Sequence, residues 1–187
     1  QPENNYTLQI GCGKTISNTT KITTINNFRS LDVSLNGQGA PLVPIGDLLL
    51  FPEYKYCVNL GGFANISIKK NDKIIAFDIC PANIVLNDLC KGLGIEYDTN
   101  GDISRKGKIV PTILQQLNQL DFYVKKAPKS LGREWVEKNI LPILKDNKSQ
   151  DLLCTFCEHV AIQIGKFLKD ESALFTGGGV FNSFLME

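Results

Sequence analysis

The sequence contains a single histidine, a single methionine and a single tryptophan. One histidine, His159, cannot complete a zinc site with "CTFCEH" (Cys154 to His159), because no second ligand pair exists. A haem-attachment spelling needs the histidine directly after the second cysteine, and Glu158 intervenes. There is no Gly-x-x-x-x-Gly-Lys-Ser/Thr loop and no Gly-x-Gly-x-x-Gly fingerprint; "GCGK" (Gly11 to Lys14) supplies only half of the latter. Charge of either sign is not in excess: the formal net charge is +1. That leaves no basic field for nucleic acid and no acidic tail. No signal-peptide pattern occurs, and no apolar run is long enough to span a bilayer. The six cysteines mostly lie in apolar runs. They read as small core residues in a reducing, cytoplasmic compartment, not as a disulfide frame.

Apolar residues make up 43% and charged residues 21% of the 187 positions, enough to bury a core. "YTLQIG" and the β-branched "KITTINNF" read as strands. "YKYCVNLGGFANISIKK" reads as two strands joined at Leu60-Gly61-Gly62, and "KIIAFDIC" as a third after an "NDK" turn. "NIVLNDLCKGLG" has helical spacing and ends at glycines. "GIEYDTNGD" is polar and turn-rich, which predicts a surface loop. "VPTILQQLNQL" predicts a helix with proline in its first turn. "GREWVEKNILPILK" predicts one that breaks near Pro142. "SQDLLCTFCEHVAIQIGKFLKD" predicts an amphipathic helix capped by Ser149, with Leu153, Phe156, Val160 and Ile164 on its apolar face. Cys154, Cys157, Trp135 and Phe156 read as core. "SALFTGGG" is a short strand entering glycines, and "VFNSFLME" opens a helix. The plan is α/β with a mixed sheet flanked by helices.

Three glycine-bearing loops follow strand-like or apolar segments: Gly37-Gln38-Gly39, Asn59-Leu60-Gly61-Gly62, and Gly177-Gly178-Gly179. Glycine lets backbone N–H groups approach a phosphate with no Cβ in the way. A Gly-Gly turn is also simply a turn, so each loop alone stays open between the two readings. Two carboxylates stand beside such features. Asp32 precedes the first loop, and Asp78 ends the apolar strand "IIAF", where α/β folds place ligand groups. Each could serve as a base, hold Mg²⁺ through water, or cap a turn.

Together the blocks resemble the anhydro-N-acetylmuramic acid kinase family, within the actin-like (ribonuclease H-like) ATPase and sugar kinase superfamily. "FRSLDVSLNGQGAPLVPIGD" (Phe28 to Asp47) is similar to the family block "DFR…D…GGQGAPLVP". "NLGGFANIS" resembles its phosphate hairpin, "AFDICPANIVLND" its "GFDTGPGN…D", "PKSLGREWV" its "PKSTGRE", and "FTGGGVFNSFL" its adenosine segment. Departures are Asn27 for the family aspartate, Asn36 and Ala82 for family glycines, and Ile79-Cys80 for its Thr-Gly pair. The family's Gly-Thr-Ser-Met/Leu-Asp-Gly hairpin, its "HDGQT" stretch and its C-terminal helix block have no match, so the chain reads as a middle-to-late fragment.

The resemblance implies an ATP- and Mg²⁺-dependent kinase. It would open 1,6-anhydro-N-acetylmuramic acid with water and phosphorylate O6, giving N-acetylmuramate 6-phosphate in cell-wall sugar recycling. Asp32 matches the catalytic base. Asn59, Gly61 and Gly62 would contact phosphates, and Gly177, Gly178 and Gly179 would flank the adenosine. Gly37, Gln38, Gly39, Ala40 and Pro41 would line the sugar cleft. Asp78 would lie near Mg²⁺, with no direct protein ligand to the metal. Residues 1–54 would finish the first lobe and 55–187 form most of the nucleotide-binding second lobe. Family members resemble homodimers. The fragment alone is expected to be inactive. The alternative is a non-catalytic actin-like module that binds nucleotide or a partner.

Overall fold

A computed structural model describes residues 10–37, 39, 42–70, 73–145 and 148–187. The chain divides into two compact units, residues 1–45 and 46–187. The lobe boundary expected from the sequence lies later, after Tyr54.

In the first unit, α1 (Gly13–Thr20) starts from extended Cys12 and ends at Lys21, whose left-handed backbone (φ 61°) lets its N–H reach Ser17 O at 2.8 Å. The strand expected over "KITTINNF" is absent: Lys21 to Asn27 carry no strand, and Phe28 already opens α2 (Phe28–Ser34). β-branched residues favour extended backbone, but a strand needs a partner ladder. Ile22 and Ile25 are exposed instead. In the expected strand "YTLQIG", Tyr6 to Gln9 lie outside the described residues, and Ile10 and Gly11 form a bend. Helix α3 (Pro44–Leu50), which runs from the end of this unit into residues 46–187, begins with proline, whose missing N–H costs nothing in a first turn.

The second unit is built on a four-stranded sheet: β1 (Tyr56–Leu60), β2 (Phe63–Lys70), β3 (Lys73–Pro81) and β4 (Ala173–Thr176), in the order β3-β2-β1-β4. β1–β2 and β2–β3 are antiparallel, while β4 joins β1 in parallel. The sheet is therefore mixed, and helices flank it, as the sequence predicts. In the expected "NDK" turn, Asn71 and Asp72 lie outside the described residues. Alternation along β1 and β2 sends Val58, Leu60, Ala64 and Ile66 into one core, joined by Phe77 and Ile79 of β3.

Helices α4 (Asn83–Lys91), α5 (Pro111–Asn118), α6 (Arg133–Asn139) and α7 (Ser149–Gly165) contribute to that core. α6 ends before Pro142, consistent with the expected break. α7 corrects two expectations. Its N-cap is Lys148, with no side-chain bond, and Ser149 is the first helical residue. It is also buried on most faces: Leu152 through Cys157, His159, Val160, Gln163 and Ile164 are all buried. A helix packed against α4, α5 and β3 together has no broad solvent face to keep polar. Cys154 and Cys157 are core thiols, and Trp135 packs half-buried against the same core.

Candidate functional site

β1 and β4 run in parallel and end side by side, Asn59 opposite Thr176. Ligand groups in α/β sheets gather at such carboxyl ends. Beyond β1 the chain turns through Gly61-Gly62. The carbonyls of this turn accept from the first N–H groups of the α4 region: Ala82 N to Gly62 O at 2.9 Å, Asn83 N to Gly61 O at 3.2 Å and Ile84 N to Gly62 O at 3.1 Å. The Asn83 side chain adds a bond from Nδ2 to Leu60 O at 3.1 Å. The hairpin thus caps α4, locking turn and helix into one piece.

Beyond β4 come Gly177, Gly178 and Gly179. Gly177 has φ +87°, and a Cβ on it would lie 2.8 Å from the Leu60 carbonyl. A Cβ on Gly179 would lie 2.7 Å from Leu60 Cβ. Both glycines let this loop pass directly over the end of β1. A Cβ on Gly178 would meet nothing within 4 Å. The hairpin and this glycine loop, more than a hundred residues apart in sequence, therefore sit against each other through Leu60. A short 3-10 turn, Gly178–Phe181, then leads into α8 (Ser183–Met186), capped by Asn182 Oδ1 accepting from Leu185 N at 3.0 Å.

A cleft of about 440 Å³ opens beside this loop, lined by Asn83 and Asn87 of α4, Tyr97 to Asn100, Gly178, Gly179, Phe181 and Asn182. The sequence predicts Tyr97 to Asn100 only as surface loop. The structure makes the segment a wall of the cleft, organised by Asp98. Asp98 is buried, and its carboxylate accepts from Ile103 N at 2.9 Å, Ser104 N at 2.8 Å and Ser104 Oγ at 2.6 Å. Gly101, at φ +73°, lies so close to Asn182 and Phe184 that only glycine fits. The legible signal was Asp98 followed by Asn100-Gly101, a polar residue able to bond its own backbone before a left-handed turn.

Cross-strand partners place four polar residues in one row: Thr176 opposite Asn59, Asn59 opposite Asn65, Asn65 opposite Asp78. Directly opposed residues share a face, so the row crosses the whole sheet on the side away from Val58 and Ile66. Asn59 Nδ2 donates to Thr176 Oγ1 at 3.2 Å. Asp78 Oδ2 accepts from Leu131 N at 2.8 Å, and Asp78 N donates to Lys129 O at 3.0 Å, which docks the "PKSLGRE" segment on β3. Burial raises the Asp78 carboxyl above the ordinary aspartate value, and the Leu131 N–H only partly offsets it. Among the described residues no group of three or more His, Cys, Asp or Glu is placed to hold a metal ion. Oxygen donors such as these, with phosphate and water completing the shell, suit Mg²⁺.

In the first unit, Asp32 sits in the last turn of α2. Its Oδ2 accepts from Gly39 N at 2.7 Å, and its carbonyl accepts from Gly37 N at 2.8 Å. A Cβ on Gly37 would collide with the Asp32 carboxylate, and one on Gly39 would come within 2.9 Å of Val33 Cγ2. Arg29 donates to Gly39 O from the other side. The loop is thus wrapped on α2 around Asp32, whose Oδ1 has no hydrogen bond among the described residues. Asn36 has φ +67°, a left-handed position that glycine favours and asparagine tolerates, so this departure preserves the backbone. Gln38, Ala40 and Pro41 lie outside the described residues.

The family model for anhydro-N-acetylmuramic acid kinase matches residues 1–187. The kinase of that name from Pseudomonas fluorescens (strain Pf0-1) is 36% identical over 202 residues, which cover 100% of this chain and 55% of that protein. The one from Bacillus cereus (strain 03BB102) is 33% identical over 201 residues, covering 97% and 53%. The chain therefore spans about half the length of the curated relatives it matches. Among solved structures, the activator of the 2-hydroxyisocaproyl-CoA dehydratase from Clostridium difficile with bound ADPNP aligns over 72% of this chain and 49% of its own. Its TM-score is 0.44 and its identity 17%. With matching blocks along its whole length, this chain belongs to the anhydro-N-acetylmuramic acid kinase family.

Proposed function

We propose that the chain carries the nucleotide site and the catalytic base of an actin-like kinase that opens 1,6-anhydro-N-acetylmuramic acid with water and transfers the γ-phosphoryl of ATP to O6. The observation that carries this reading is the convergence of the Gly61-Gly62 hairpin, the Gly177–Gly179 loop and the Tyr97 to Asn100 segment at the carboxyl ends of β1 and β4. The nucleoside would occupy the cleft beside Gly178 and Gly179. Its phosphates would extend toward Asn59, Gly61 and Gly62. Asp78 would hold Mg²⁺ through water, and Mg²⁺ neutralises charge on the transferring phosphoryl group.

Asp32 has the form a base requires. The Gly39 N–H fixes one oxygen, and the other, which has no hydrogen bond among the described residues, would accept a proton from water attacking the anomeric carbon. The released O6 would then attack the γ-phosphoryl group. Gly37, Gly39 and the residues between and after them would shape the sugar side. A nucleotide-binding module without sugar chemistry is favoured by one observation, that the Asp32 carboxylate already has a structural partner in Gly39.

Asp32→Asn in the intact kinase separates the two. A base contributes about 10²- to 10⁴-fold, so phosphorylated sugar should fall by that factor while ADP binding is unchanged. Full activity in the variant would remove Asp32 from the chemistry.

A further inference from the structure

Two lysines are buried among the described residues, and they differ in what surrounds the ammonium group. Lys129 Nζ donates to Phe122 O at 3.2 Å and stands 4.5 Å from the Phe122 ring centre, 5.7 Å from that of Phe167 and 5.8 Å from that of Phe77. Three rings stabilise a cation there. Lys69, only 9% exposed, has no such cage. Its Nζ donates to Phe51 O and stands against the Cys57 thiol, which burial keeps neutral by raising it above its ordinary value. Asp47 and Glu53 are near enough to act on that thiol, but among the described residues no carboxylate forms an ion pair with Lys69. A buried ammonium with neutral partners alone is costly, and its three N–H groups leave it able to donate further.

Lys69 lines a cavity of about 550 Å³ at the amino ends of β1 and β4, the opposite end of the sheet from the glycine loop. Lys55 and Lys70 line it too, and neither has an ion pair among the described residues. The backbone beneath them is fixed. Lys55 N and Tyr56 N donate to Ser172 O at 3.0 and 3.1 Å, and Lys69 N donates to Lys55 O at 3.1 Å. Ser172 Oγ donates to Glu53 O at 2.9 Å, and Tyr54 N donates at 3.2 Å to Phe51 O, the carbonyl that holds Lys69. Glu53 and Glu171 also border the cavity, but both are exposed and screened by water, whereas Lys69 is not.

We infer that this cavity is an anion site, separate from the proposed nucleotide cleft, and that Lys55, Lys69 and Lys70 hold a phosphoryl group in it. A dianion with three acceptor oxygens matches three ammonium groups in charge and number better than a carboxylate does. The ligand supplies the counter-charge that Lys69 lacks within the fold. The cavity is also in the size range of small-molecule sites, so it has room for an organic group attached to the phosphate.

The test titrates inorganic phosphate, and separately glycerol phosphate, into the isotope-labelled 187-residue chain and its Lys69→Met, Lys55→Ala and Lys70→Ala variants. Amide chemical shifts locate the ligand, thermal unfolding checks that each variant folds, and sodium chloride of equal ionic strength is the reference. Methionine keeps the length of Lys69 without its charge, and Lys55 and Lys70 lie nearer the surface, so their variants remain informative if Lys69→Met fails to fold. The expected result is saturable shifts at Lys55, Lys69, Lys70 and Ser172, with binding weakened about tenfold in Lys69→Met and at least about threefold in each alanine variant. Tighter binding of glycerol phosphate would assign the site to an organic phosphate, and equal binding would assign it to the free anion; either supports it. Shifts no different from those in sodium chloride, or confined to Gly61, Gly62 and Gly177 to Gly179, would overturn the inference. So would affinity unchanged within about twofold in every variant that folds.

Discussion

Six cysteines occupy two kinds of environment. Cys57, Cys80, Cys90, Cys154 and Cys157 are buried, and burial raises each thiol above its ordinary value. Cys12 is exposed at the start of α1, where bonds from Thr15 lower its thiol. Thiolate character and access together set reactivity. A maleimide or disulfide reagent should therefore modify Cys12 rapidly in the native chain, and the other five only on unfolding. Fast labelling of a second cysteine would contradict that burial. The glycine loop gives a second contrast. Gly177→Ala would press a Cβ against Leu60 at a positive φ, and should lower unfolding free energy by about 1–3 kcal/mol. Gly178→Ala, facing open space, should stay within about 0.5 kcal/mol in the same denaturant titration. Sequence could mark all three glycines but not rank them, because what excludes a side chain at Gly177 and Gly179 is Leu60, more than a hundred residues away. Asn36 is the converse: the departure was visible, and that it keeps a left-handed backbone became clear only from its φ.

Elements defined by local rules were legible. The hairpin at Gly61-Gly62, the proline start of α5, the break before Pro142 and the strand ahead of Gly177 all follow from turn chemistry and short-range pattern. Elements defined by their neighbours were not. "KITTINNF" has strand propensity without a partner, and α7 takes its burial from α4, α5 and β3 together. The polar contents of α7 show what that burial does. His159 Nδ1 lies 2.7 Å from Asn118 Oδ1, and Nε2 lies 2.9 Å from the Tyr123 hydroxyl. An amide oxygen accepts, so Nδ1 carries the proton and Nε2 accepts from tyrosine, which describes a neutral ring. Burial, reinforced by Lys166, pushes its pKa down from 6.5 to about 3. The unfolded chain therefore binds more protons than the folded one between those values. The stabilisation is complete above about pH 6.5 and is lost as pH falls toward 3, by up to about 1.4 kcal/mol per pH unit. The raised Asp78 carboxyl works in the opposite sense, since its ionised form is the one that burial disfavours. Melting temperatures of the wild type and His159→Gln at pH 7 and pH 4.5 should converge on acidification. A variant that loses as much stability as the wild type over that interval would place the acid sensitivity elsewhere.

At the scale of the whole chain, the cleft residues all belong to the unit of residues 46–187, while Asp32 and its loop belong to residues 1–45. On the proposed reading, nucleotide binding and base catalysis would fall in different units of a chain that covers about half of its relatives' length. The nucleotide site proposed above draws on the hairpin, the glycine loop and the Tyr97 to Asn100 wall, which all lie in one unit, the hairpin bonded to α4 and the glycine loop packed on Leu60. Phosphoryl transfer needs in addition a full set of groups around the γ-phosphoryl, because its transition state is stabilised almost wholly by positioning and charge. We therefore expect the 187-residue chain to bind ADP without producing phosphorylated sugar. At ADP concentrations about 100 times Kd, linkage gives about 2.7 kcal/mol of added stability, readable as a rise in melting temperature. A phosphorylation assay on the same sample, with ATP, Mg²⁺ and the anhydro sugar, should stay at background. Product above background would show that the two units described here suffice for the chemistry. A melting temperature unmoved by ADP would show that the cleft requires residues outside them.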